Sequence, residues 1–101
     1  MIVIHVKIST EPGTVDALKG AVAAVEKATR AETGCINYVF ASSISDPNTI
    51  HITEEWHDAE ALKAHLQAPH LAALQAAMRQ HPPKSVAVKA FEAKEVPFPP
   101  V

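Results

Sequence analysis

From Ile2 to Ser9 the chain alternates, with Ile2, Ile4, Val6 and Ile8 set against Val3, His5, Lys7 and Ser9. A run this rich in β-branched residues with a period of two predicts a strand with one buried face. Glu11-Pro12-Gly13 interrupts it, and a longer period begins at Gly13 or Thr14. Val15, Leu18, Val22, Val25 and Thr29 recur at spacings of three and four, while Lys19, Glu26, Lys27 and Arg30 fall mostly off that stripe. The pattern is one apolar face of a helix. Asp16 sits in its first turn, where the helix dipole favours a negative charge, and the helix is expected to end before Gly34.

Alternation returns from Cys35 to Ser43, with Ile36, Tyr38 and Phe40 on one face and Asn37, Val39 and Ala41 on the other. Asp46-Pro47-Asn48 reads as a turn, because Pro presets φ while Asp and Asn bond to nearby backbone. Thr49 to His57 is a third strand that groups Ile50, Ile52, Glu54 and Trp56 opposite His51, Thr53 and Glu55. Asp58 then caps a helix whose Leu62, His65 and Leu66 share a face. Pro69 interrupts that helix, since it lacks the N–H the ladder needs, yet it suits the first turn of a new one. Leu71, Leu74 and Met78 carry the apolar stripe to about Gln80, and His81-Pro82-Pro83 ends it. Ser85 to Ala93 is the last strand, and residues 94–101 form an extended, Pro-rich arm.

The order β-α-β-β-α-β, with right-handed crossovers, predicts an α+β fold. Its four-stranded, largely antiparallel sheet carries both helices on one face, the ferredoxin-like arrangement. The opposite face then holds Val3, Val39, Ala41, Ala87 and Phe91, and the arm adds Phe98 and Val101. A sheet face this apolar calls for a covering surface. A homodimer is expected, packed sheet to sheet with the arm crossing to the partner.

Composition narrows the class. With 101 residues the chain makes one domain. Nine Lys and Arg against eleven Asp and Glu leave a net charge of −2, which gives no electrostatic basis for binding nucleic acid or an anionic membrane. The single Cys35 excludes an internal disulfide and fits a reducing compartment. The first residues are too short an apolar run for a signal peptide, and no run approaches a membrane span. A cytoplasmic protein is the expectation.

The candidate chemistry is concentrated between Thr33 and His70, which hold the only Trp and Tyr together with Glu54, His65 and His70. A metal site is not expected. His5 and His51 lie on one side of neighbouring strands without a carboxylate in evident register. His65 and His70 stand five apart across Pro69, off the helical i, i+4 ligand geometry, and neither HExxH nor CxxC occurs. Cys35 reads as a small apolar filler.

Taken in order, Glu32-Thr33-Gly34-Cys35-Ile36-Asn37-Tyr38, Asp46-Pro47, Glu54-Glu55-Trp56 and Ala64-His65-Leu66-Gln67-Ala68-Pro69-His70 resemble the antibiotic biosynthesis monooxygenase domain. The resemblance spans nearly the whole chain and implies a dimeric α+β barrel. Its oxidising members act on quinols and polyketide phenols with molecular oxygen, using no flavin, haem or metal; others degrade haem, act on signalling molecules or have no known activity. The haem-degrading members place a Trp where His65 stands and an axial His one turn beyond His70, where this chain has Gln75 near by. A haem ligand is therefore missing.

For a cofactor-free oxygenase the protein must supply a base and a dry apolar compartment in which a substrate anion meets oxygen. Histidine suits the first role because its ordinary pKa lies near neutrality. His65 is thus the candidate base or substrate anchor, and Glu54 the group that orients a His or a substrate hydroxyl. Trp56 and Tyr38 would be aromatic walls, with His70 at the rim and Phe40 and Leu62 as further lining. Each has a plainer alternative: a core-edge histidine, a packing Trp and Tyr, and a Glu54 at a solvent-reaching strand end. The function implied is oxidation of a small aromatic quinol or phenol without cofactor. The alternatives are a non-catalytic ligand-binding dimer, or an isomerase- or lyase-type enzyme using His65 as its base.

Overall fold

In the computed structural model, which describes residues 1–100, the alternating runs become β1 (Ile2–Ser9), β2 (Cys35–Ser42), β3 (Thr49–Trp56) and β4 (Ser85–Glu92). The helical periods become α1 (Thr14–Arg30), α2 (Ala59–Leu66) and α3 (Pro69–Gln80). Val101, which the sequence assigned to the arm, lies outside the described residues. The strands form one antiparallel sheet in the order β2-β3-β1-β4, the ferredoxin-like topology. One element is added to the expected order, which is β-α-β-β-α-α-β. Pro69 does not merely interrupt the second helix; it opens α3 as that helix's first-turn residue.

Register sets which residues meet on the helix-covered face. Tyr38, Glu54, Ile4 and Ala90 form one row across the four strands, and Cys35, Trp56, Ile2 and Glu92 the next. Helices α1 and α3 complete the core over these rows, with Val25 and Leu74 buried against Ile4, Tyr38 and Trp56. A second cluster joins Ile8, Ile50 and Ile52.

Two apolar residues depart from expectation. A β-bulge between Cys35 and Asn37 pairs Cys35 with Trp56 and turns Ile36 out to solvent, so Ile36 does not share the Tyr38 face. An extra residue in one strand breaks strict alternation at that point. Leu66, at the end of α2, is exposed rather than facing the sheet with His65; the helix stops there, and the chain turns through Gln67 and Ala68 into α3.

The free edge of β2 is covered by α1. Arg30 Nε donates to the Tyr38 carbonyl at 3.0 Å, and Glu26 Oε2 accepts from the Phe40 N–H at 2.9 Å. Such contacts satisfy backbone groups that an edge strand otherwise offers to other chains. On the other edge, β4 is exposed along its whole length. Among the described residues no helix is long and apolar enough to cross a membrane.

Candidate functional site

Three short segments bring the polar chemistry together. The turn after α1 presents Glu32, the last turn of α2 presents His65, and the first turn of α3 presents His70. Gly34 makes this approach possible. Its φ of +83° suits a residue without a side chain, and an added Cβ would stand 2.6 Å from the Ala61 Cβ on α2. The His57 N–H donates to the Gly34 carbonyl at 2.8 Å. Asp58 caps α2 by accepting from the Ala61 N–H at 2.9 Å. The Glu32 turn and the start of α2 are thereby held side by side.

One oxygen of Glu32 serves both imidazoles. Glu32 Oε2 lies 2.8 Å from His65 Nδ1 and 2.7 Å from His70 Nε2. An ionised carboxylate can only accept, so each of these ring nitrogens donates its proton. In the neutral imidazole this leaves the lone pair on His65 Nε2. His65 is 1% exposed and stacks obliquely on Trp56, with ring centroids 4.7 Å apart, while Tyr38 meets it edge-on at 5.2 Å. The side chains of His70 and Glu32 are 24% and 16% exposed, so the cluster reaches solvent on their side.

Glu54 bonds to neither imidazole. It is buried, and its Oε1 accepts from the Trp56 indole N–H at 3.0 Å. It does not orient a histidine; Glu32 does. Nor does the strand end there reach solvent. Burial pushes the Glu54 carboxyl above its ordinary pKa, against the pull of the Trp56 hydrogen bond and the nearby His65. Burial likewise raises the Tyr38 hydroxyl, reinforced by the charges of Glu54 and Glu32. Cys35 is raised by burial and then by Glu32 and Glu54, which leaves its thiol protonated and unreactive. The neighbourhood is electronegative: among the described residues neither Glu32 nor Glu54 is paired with a Lys or Arg.

The aromatic walls and the imidazole close on one another instead of lining an open chamber. Trp56, Tyr38 and His65 rank among the largest fully buried side chains, so the apolar space expected beneath α2 is occupied by the residues meant to enclose it. Leu62 packs half-buried against the same core. Phe40 tilts against Tyr38 at 5.7 Å and makes no ring contact with either imidazole. It lines a cavity of about 200 Å³ between α1 and the β2–β3 pair, with Leu18, Val22, Glu26 and Ile50.

Sequence reasoning gave Glu32 no role, although it is the only carboxylate in the turn between α1 and β2. No periodicity distinguishes a turn residue, and its partners lie 33 and 38 positions away. The spacing objection to joining His65 with His70 also falls, because the two stand on separate helices and need no i, i+4 relation.

None of the curated proteins matches the chain in sequence. A candidate antibiotic biosynthesis monooxygenase from Deinococcus radiodurans is similar in structure, with 27% identity, a TM-score of 0.86 and 95% of each chain covered. A protein from Shewanella oneidensis shares 28% identity at a TM-score of 0.75, covering 89% of this chain and 87% of its own. A second candidate monooxygenase, from Nitrosomonas europaea, shares the fold at 17% identity, with a TM-score of 0.86 and coverage of 92% and 98%. The family model described as antibiotic biosynthesis monooxygenase matches residues 1–77, a span that contains every residue of the cluster. Matched over 77 of its 101 residues, this chain belongs to the antibiotic biosynthesis monooxygenase family.

Proposed function

We propose that this protein is a monooxygenase that oxidises a small aromatic quinol or phenol with molecular oxygen, needing no cofactor for turnover. The observation that carries the proposal is the buried His65, fixed through Nδ1 by Glu32 and enclosed by Trp56 and Tyr38. A carboxylate on one ring nitrogen sets the tautomer that leaves the other free as a base, and it stabilises the imidazolium that forms. Once the rings packed on His65 part to admit the phenol, His65 Nε2 takes its proton, and the resulting anion passes an electron to oxygen. For a quinol the overall change balances without an added reductant: one oxygen atom enters the ring, the other leaves as water, and both electron pairs come from the substrate. His70, bonded to the same carboxylate oxygen, links the site to solvent.

The functional unit is a homodimer packed through the open sheet face. Val3, Val39, Ala41, Ala87 and Phe91 share that face by register, and Phe91, Val96 and Phe98 are exposed. Burying such a surface favours association. Light scattering tests it, and a clean monomer at micromolar concentration rejects it.

Oxygen uptake with menadiol, measured above autoxidation, tests the activity. His65→Ala is expected to lower the rate by about a hundredfold or more, the usual contribution of a positioned base. Unchanged turnover would clear His65 of that role. A second reading is a ligand-binding dimer without turnover, favoured by the cavity of about 200 Å³ between α1 and the β2–β3 pair, away from the imidazoles. Its outcome is saturable binding of the quinol with no oxygen consumed. Anaerobic consumption of substrate would instead favour an isomerase- or lyase-type reaction at the same base.

A further inference from the structure

We propose that Glu32, His65 and His70 form a binding site for a divalent transition-metal cation of the zinc, cobalt or nickel type. The donor set is two imidazole nitrogens and one carboxylate oxygen, the combination that borderline cations prefer over calcium or magnesium. The three ligand atoms lie within 4.8 Å of one another. Bonds of about 2.0–2.2 Å hold such donors around a common centre. The two contacts of 2.8 and 2.7 Å to Glu32 Oε2 therefore need only a small opening to admit an ion.

Proton bookkeeping agrees with that exchange. His65 Nδ1 and His70 Nε2 point their protons at a single oxygen, and a cation at that place substitutes for both. The charge balance favours it as well. Glu54 is buried next to the cluster, and no Lys or Arg offsets Glu32 or Glu54 among the described residues. Arg30, two residues before Glu32, is committed to the Tyr38 carbonyl and Glu26. Three protein ligands leave a further coordination position, and the partial exposure of His70 and Glu32 puts it on the solvent side. A cation on Nδ1 would move the His65 proton to Nε2, so a loaded site and a free base at His65 exclude each other. The metal site stands on its own geometry and does not depend on the oxygenase reading.

Titration of the purified, untagged full chain with Zn²⁺ by calorimetry, and with Co²⁺ by visible absorption, tests the site. One cation per chain is expected, with cobalt bands of a nitrogen–oxygen environment and competition by Zn²⁺. Glu32→Gln and His70→Ala should each weaken binding by at least about tenfold, since losing a direct ligand costs no less than losing its outer partner. Circular dichroism establishes that both variants remain folded; if one does not, the other decides. The double variant His51→Ala, His81→Ala removes exposed histidines outside the cluster and should bind as the parent does. Absence of a one-to-one isotherm overturns the proposal. So does binding unchanged in Glu32→Gln and His70→Ala, or lost in the surface double variant.

Discussion

On the face of the sheet that the helices cover, Trp56 and Tyr38 are sealed from water, whereas Val86 and Val88 are 52% and 61% exposed. All four belong to strands with the same apolar alternation, and register puts them on the same side. The difference lies above the sheet. Val25 of α1 and Leu74 of α3 close over the β1–β2–β3 part, while β4 is left bare. Period two assigns a residue to a face, but only the placement of another layer decides whether that face is dry. The sealed side can therefore hold a carboxylate bonded to an indole and an imidazole fixed by a second carboxylate. The bare side carries apolar surface that suits association.

The sharpest way to break the contrast is to empty the sealed side. Trp56→Ala should destabilise the chain by about 3–5 kcal/mol, through lost burial and an unfilled cavity, measured by urea unfolding; a loss below about 1 kcal/mol would mean the roof collapses freely. Gly34→Ala acts at the seam between the Glu32 turn and α2. Positive φ and the close Ala61 Cβ together predict a loss of about 2–4 kcal/mol, and the NMR signals of His65 and His70 should shift as Glu32 is displaced.

Glu54 sharpens the comparison by its titration. Burial raises its folded pKa above the ordinary 4.5, so the native chain keeps this proton to higher pH than the unfolded chain does. Its contribution is then most favourable below the ordinary carboxylate range and is lost as pH rises through the raised value. Glu54→Gln keeps an acceptor for the Trp56 indole but cannot ionise. Its melting temperature should vary less than the parent's between roughly pH 4 and 8, and an equal slope would rule out Glu54 as the titrating group. The smallest effect on the chain's own fold is expected on the bare side. Phe91→Asp, on the open face of β4, should leave the circular dichroism spectrum unchanged while lowering the mass seen by light scattering; an unchanged dimer mass would remove β4 from the interface.

Much of the architecture was legible in the residue order. Period two gave four strands and period 3.6 gave α1, because each period is a property of neighbouring residues and needs no distant partner. Asp46-Pro47-Asn48 and Asp58 announced their turn and cap for the same reason, acting on backbone two or three residues away. The limits show at Ile36, where one bulged residue reverses a face, and at Leu66, where the helix simply ends.

The amino-acid order by itself determined the four strands and α1, the two faces of the sheet, the family resemblance and the prominence of His65. The tertiary structure alone decided that Glu32, not Glu54, holds the imidazoles, that Tyr38 and Trp56 fill the space they were expected to wall, and that β4 lies uncovered. The reason is range. Propensity, periodicity and capping act within a few residues, whereas one carboxylate oxygen shared by His65 and His70 exists only once a turn and two helices have been folded against each other.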